Sequence, residues 1–306
     1  MFAEKLKLNP VPPFDFDLSM QIFRSGDRQI RIYESGKFHQ VIRLSGKLAL
    51  VKLQSTGTVE LPLLQAELTA NKEITHEEEQ EAVKVITRLL NLDLDLAVFC
   101  ALVKRDKTLD GIARQLRGLR SPTTQTVYEA LIDSVVEQQI SLRVANVIER
   151  RIIKKFGEAL MVGEGVYYAY PTPEALADAA VDDLRRCGLS QRKAEYIRQI
   201  SALVAERKLN LEEFRSYEST ERIVGELDAV RGIGRWTAEL TVIRALQRWD
   251  AMPADDVGLR RIISQFYCGG KRITSDEAKK IAEPWGKWRG LAAYYFVVAE
   301  LMNLKD

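Results

Sequence analysis

The chain divides by the period of its apolar positions. Between residues 14 and 70, apolar and polar residues alternate in short runs, as in QIRIYESGKFHQVIRLSGKLALVKL. That period of two is broken at Glu34-Ser35-Gly36, Ser45-Gly46-Lys47 and Ser55-Thr56-Gly57, which predicts antiparallel strands joined by hairpins. Residues 75–92 change to helical spacing, with Thr75 and Glu78 placed for a capping box. From Leu94 onward the spacing stays helical. The pattern predicts an α+β chain: a small antiparallel-sheet α/β domain over residues 1–93, then an all-α region over 94–306.

The helical region is organised around residues 219–262. Ser219 is a good N-cap, and Ile223, Leu227 and Val230 follow at helical spacing. Gly232 and Gly234 break that helix around the apolar Ile233. A second helix is predicted from Arg235 to about Trp249, stopped by Asp250–Met252 and Pro253. Asp255 and Asp256 follow, and Val257, Leu259, Ile262 and Ile263 start a further helix. The two glycines permit a sharp turn and keep side chains away from the amides at the next helix start. Such amides, with the helix dipole, favour an anion such as a DNA phosphate, held without reading sequence. A helix–turn–helix corner in an all-α core is the competing reading.

Upstream, the run from Tyr128 reads as a helix, a break at Gln138-Gln139-Ile140, and a helix capped by Ser141. Pro173 suits a first helical turn, and Ser190 caps a helix whose apolar stripe is Ile197, Ile200, Leu203 and Val204. The closing segment places Trp288, Leu291, Tyr295, Phe296 and Ala299 at core-like spacing.

Composition changes this picture little. Three cysteines far apart suggest free thiols in a reducing compartment, not a disulfide frame. No stretch approaches the ~18–20 apolar residues of a membrane span, and no signal core opens the chain. A cytosolic, nucleoid-associated protein is expected. Net charge is only +2, so a nucleic-acid footprint would have to be local. GIARQLRGLR, with Arg114, Arg117 and Arg120, is one local candidate; a solvated helix face explains it equally well. His39 and His76 have no second ligand nearby, and no metal pattern is present.

The run LDAVRGIGRWTAEL, followed by PADDVGLRR, resembles the helix-hairpin-helix superfamily of DNA glycosylases. The match is closest to the DNA-3-methyladenine glycosylase II branch, the alkylbase glycosylases. The resemblance covers most of residues 94–306, and PVPPFDF is similar to the entry of the sheet domain that precedes the core in relatives. It implies a catalytic aspartate just beyond the hairpin, in the register Asp, two residues, apolar, one residue, Arg. Asp256 fits, with Leu259 and Arg261, whereas Asp255 would put Gly258 at the apolar position. Asp255 is then a helix cap or a partner of Asp256. The resemblance also implies that Gln139, and more weakly Gln138, enters the DNA where the target base has left; a polar interhelix corner is the alternative. Gly232, Gly234 and Arg235 become the expected phosphate contacts, with a monovalent cation at the hairpin carbonyls as a possible companion and no other cofactor.

Trp236 lies two residues after Gly234, where bifunctional relatives carry the lysine that forms a Schiff base. Tryptophan cannot be that nucleophile, so a monofunctional enzyme is expected. Trp236 and Tyr295 are expected to wall the base pocket. Where relatives place further aromatics, this chain has Leu240, Val257 and Val297, and the four-cysteine iron–sulfur loop of the endonuclease III branch is absent. A carboxylate beside the sugar stabilises the charge left as the N-glycosidic bond breaks. It can suffice alone where the leaving base is already cationic, which favours alkylated bases. The expected partner is double-stranded DNA with damaged bases, met by a monomer and not by a membrane protein. Two alternatives stand beside this: a non-catalytic DNA-binding module, and a glycosylase for deaminated or oxidised bases.

Overall fold

The computed structural model describes residues 2–304. Five strands, β1 (Phe2–Leu8), β2 (Arg31–Glu34), β3 (Lys37–Leu44), β4 (Lys47–Ser55) and β5 (Leu64–Ala70), form one antiparallel sheet in the order β1-β5-β4-β3-β2. A short helix α1 (Phe16–Ser19) precedes β2, and α2 (His76–Leu90) follows β5. The Thr75–Glu78 capping box forms as expected. Central strand β4 carries a nearly unbroken apolar run because both its faces are covered. Ala49, Val51 and Leu53 join the core that contains Ala82, Val85 and Ile86 of α2. Leu48 and Leu50 pack on the other side, with Leu160 and Ala169.

Leu160 and Ala169 correct the expectation of an all-α second region. Residues Ala159–Val162 and Gly165–Tyr168 form a hairpin, β6–β7, between two helices. Its four-residue strands are too short to show a period in sequence. The hairpin closes the exposed face of the sheet, and the Tyr168 amide donates to the Gln29 carbonyl at 2.7 Å.

The helices build two further cores. The first gathers α5 (Val127–Glu137), α6 (Leu142–Phe156), α7 (Pro173–Ala177), α8 (Val181–Arg186), α9 (Gln191–Ala205), α10 (Thr220–Asp228) and α11 (Arg235–Leu246). The second gathers α3 (Ala97–Val103), α4 (Lys107–Gln115), α12 (Val257–Tyr267), α13 (Ser275–Ala282) and α14 (Arg289–Leu301). Helix α11 lies at the seam: Ala238, Val242 and Ala245 belong to the first core, while Ile243 packs against both. It ends earlier than expected, at Leu246, because Gln247 turns left-handed at φ 56° and caps it.

The basic run at 114–120 is structural. Arg120 is fully buried and donates to the carbonyls of Asn91, Val11 and Pro13, locking three loops where sheet and helices meet. Arg117 makes a two-toothed pair with Glu60, and Arg114 pairs with Asp110. Of the three guanidiniums, that of Arg120 is buried away from any DNA footprint, and the other two form surface ion pairs.

A buried ionic cluster ties the sheet to α5. Glu129, Asp133 and Glu137 recur at every fourth position of α5. Arg31 of β2 reaches Glu129 at 3.3 Å and Glu149 of α6 at 2.6 Å. Tyr170 donates to Asp133 at 2.8 Å, and Arg244 of α11 pairs with Glu137 at 2.8 Å. Burial, then the nearness of Glu149, raises the Asp133 carboxyl well above the usual range. A cleft of about 790 Å³ runs alongside, walled in part by Arg31, Gln125, Glu129 and Tyr170. Among the described residues, no helix is long and apolar enough to cross a membrane.

Candidate active site

The hairpin between α10 and α11 is built as its glycines require. Ser219 caps α10, accepting from the Arg222 amide. Ile233 is buried in the first core and pins the tip of the turn. Gly232 has φ +93°, and a Cβ there would lie 2.4 Å from the ring of Tyr196. Both backbone and packing therefore demand glycine at 232. Gly234 differs: it is the N-cap residue of α11, and a Cβ there would meet nothing within 4 Å. It offers no capping side chain, so the first-turn amides of α11 face open space with the dipole behind them.

Arg235 opens α11, but its guanidinium is already engaged. It holds Glu221 with two bonds of 2.7 Å and Glu239 at 3.0 Å. The guanidinium is thus paired within the protein at the half-exposed start of α11. Burial raises the carboxyl of Glu239, with Arg235 acting against that rise.

The two glutamines after α5 part company. Gln138 donates its amide hydrogens to the Gly232 carbonyl and to the Thr237 hydroxyl, both at 2.9 Å. It braces the hairpin from behind. Gln139 is exposed, with a left-handed backbone at φ 56°, at the tip of the turn. Lys193 of α9 steadies that turn, donating to the carbonyls of Val136 at 2.7 Å and of Gln138. Burial lowers the Lys193 ammonium. Thr237, Lys193 and Tyr196 escaped the sequence reading. Each acts through a contact made across the fold, for which the local pattern carries no signal.

Across the seam stands Asp256. It caps α12, accepting from the Leu259 amide at 2.7 Å through Oδ1. Of the two roles expected for Asp255, cap or partner of Asp256, the cap is taken by Asp256 itself; Asp255 is exposed, and its carbonyl accepts from Arg260. Oδ2 of Asp256 accepts from the indole Nε1–H of Trp236 at 3.0 Å. Arg261, expected in register with Asp256, pairs instead with Glu300 of α14. The structure thus brings Gly232, Gly234, Trp236, Gln138, Gln139 and Asp256 to one edge of the seam.

Tyr295 does not join them. It is 2% exposed, its hydroxyl donates to the Leu119 carbonyl at 3.0 Å, and its ring lies 4.9 Å from that of Phe99. The expectation of a pocket wall is corrected to a core residue. Helical periodicity explains the error: Tyr295 and its neighbour Tyr294 point about 100° apart, and Tyr295 faces α3. Among the described residues, no group of three or more His, Cys, Asp or Glu side chains could hold a metal ion.

The arrangement pairs an anion-ready helix start with a fixed carboxylate some residues beyond it. Comparison with known proteins gives this a setting. Residues 132–287 match the model of the family described as HhH-GPD superfamily base excision DNA repair protein. A DNA-3-methyladenine glycosylase of Bacillus subtilis is 32% identical over 218 residues, 71% of either chain. DNA-3-methyladenine glycosylase 1 of Schizosaccharomyces pombe is 29% identical over 71% of this chain and 90% of its own. Among solved structures, a 3-methyladenine DNA-glycosylase from Archaeoglobus fulgidus superimposes with a TM-score of 0.84 at 28% identity. That match covers 97% of this chain and 99% of the other.

Proposed function

The chain belongs to the HhH-GPD superfamily of base excision DNA repair proteins, and from that premise we propose that it is a monofunctional DNA glycosylase for alkylated bases. Its partner is double-stranded DNA carrying such a base, and a monomer suffices to flip one nucleotide. The observation that carries the reading is the carboxylate of Asp256, fixed by two donors at the seam edge beside the hairpin.

In this reading the first-turn amides of α11 take a backbone phosphate, with Gly234 leaving the approach clear. The target base leaves the stack, at a cost of roughly a few kcal/mol, and Gln139 enters the vacated space. The C1′–N bond then breaks with its electron pair passing to the base, which discharges the cation of an alkylated purine. Positive charge builds on the sugar, and Asp256 stabilises it. Water adds at C1′ and gives up its proton toward Asp256 and solvent. Trp236 carries no amine, so no Schiff base forms and the strand stays intact. A face of its indole ring suits a cationic base.

The test is base release from methylated duplex DNA, wild type beside Asp256→Asn, with half of each reaction heated in alkali. Methylated purines should be released, with nicks only after alkali. Asp256→Asn should lower the rate by about 10²–10³-fold while DNA binding survives. Nicks without alkali would overturn the monofunctional reading. Release confined to deaminated or oxidised bases would move the lesion class, and no release of any base would leave a DNA-binding module.

A further inference from the structure

We propose that Trp236 is the positioning residue of the Asp256 carboxylate, which makes the wall of the base pocket and the catalytic charge one mechanical unit. The inference rests on the glycosylase reading for its kinetic consequence, and on geometry for the contact itself.

A helix cap alone does not fix a carboxylate. The Leu259 amide holds Oδ1, but one bond leaves the group free to swing by concerted turns of χ1 and χ2 that keep Oδ1 near the amide. The second donor stops the swing. It comes from a different element, α11, across the boundary between the two helical cores. Two donors on the two oxygens set the plane of the group, and each oxygen keeps a further acceptor site for water or sugar.

The chemistry of the donor matters as much as its place. Indole Nε1–H donates only, and carries no charge. A lysine here would neutralise the carboxylate as an ion pair. A histidine would add a tautomer and a proton of its own. Tryptophan orients Asp256 and leaves its full negative charge for the cation developing on the sugar. Because the N–H lies in the ring plane, an indole edge-on to Asp256 keeps its faces for a base. Pressure of a flipped base on that ring is then felt at the carboxylate. A base that seats poorly leaves the charge misaligned, so recognition acts on the rate of bond breaking as well as on binding.

The experiment is a double-mutant cycle, Trp236→Phe and Asp256→Asn, read as single-turnover base release and as affinity for DNA with an abasic site. Phenylalanine keeps a ring and deletes the donor. Trp236→Phe should lower the single-turnover rate roughly 10- to 100-fold, the worth of a bond to a charged group. Affinity for abasic DNA should stay within about twofold, and the second substitution should add little in the Asp256→Asn background. An equal loss in both backgrounds would mean that the ring acts as a wall only, and would overturn the proposal. So would an unchanged rate.

A second measurement does not depend on activity. The protein has four tryptophans, and the indole N–H signal that Trp236→Phe removes from a ¹H–¹⁵N spectrum identifies Trp236. In Asp256→Ala that signal should move upfield while those of Trp249, Trp285 and Trp288 stay. A stationary signal overturns the contact whatever the substrate. If the signal moves but wild type releases no base, the contact stands and the glycosylase reading falls.

Discussion

The seam between sheet and helices and the seam between the two helical cores both gather ionisable side chains. In the first, Arg31, Glu129, Asp133, Glu149 and Tyr170 turn inward and satisfy one another. In the second, Asp256 and the start of α11 keep bonding capacity toward the outside. A cleft of about 790 Å³ also lies along the first seam. What separates the two is whether the polar groups are already answered by the fold.

Breaking the first seam should cost the most. Arg31→Met leaves Glu129 and Glu149 without their cation. The expected loss is about 3 kcal/mol in urea unfolding, the low end for a broken buried pair, since the Arg31 side chain remains 22% exposed. Base release per folded molecule should hardly change. The two glycines sharpen the contrast at the second seam. Gly232→Ala should cost about 2–3 kcal/mol through its φ and the Tyr196 contact. Gly234→Ala should change stability by less than about 0.5 kcal/mol yet weaken DNA binding roughly tenfold, whatever the lesion. Equal effects at the two positions would erase the distinction drawn between hairpin packing and ligand approach.

The smallest expected effect is a slope with pH. Burial and Glu149 raise the Asp133 carboxyl in the folded state. The folded protein therefore binds a proton that the unfolded chain releases. That contribution is full below the unfolded carboxylate value of about 4 and is lost as pH rises toward the folded value. Asp133→Asn keeps an acceptor for Tyr170 and has no charge to bury. Its urea midpoint should gain on wild type as pH rises above about 4. Parallel curves would show that Asp133 is ionised in the folded protein.

Much of the fold was legible because local chemistry decided it. Thr75, Ser141, Ser190 and Ser219 cap helices where their side chains reach an amide three residues on. The glycine turns at 36 and 46 join strands as read, with both residues at positive φ. The β6–β7 hairpin was not legible, since its stability comes from Leu48 and Leu50 far away in sequence. In the candidate site, register alone singled out Asp256 and the glycines as neighbours of one hairpin. The fates of Arg235, Gln138 and Tyr295 could not be read that way. Each is settled by a partner at a distance: Glu221 on another helix, the Gly232 carbonyl, and the Leu119 carbonyl.

Helix α11 belongs by its apolar face to one core and reaches across to the aspartate that caps a helix of the other. In the reading proposed above, the anchor for the strand and the charge for the reaction would therefore belong to different cores, bridged by Ile243. On that reading, base release should fade on heating before a calorimeter records melting, because the joint between the cores sets the alignment.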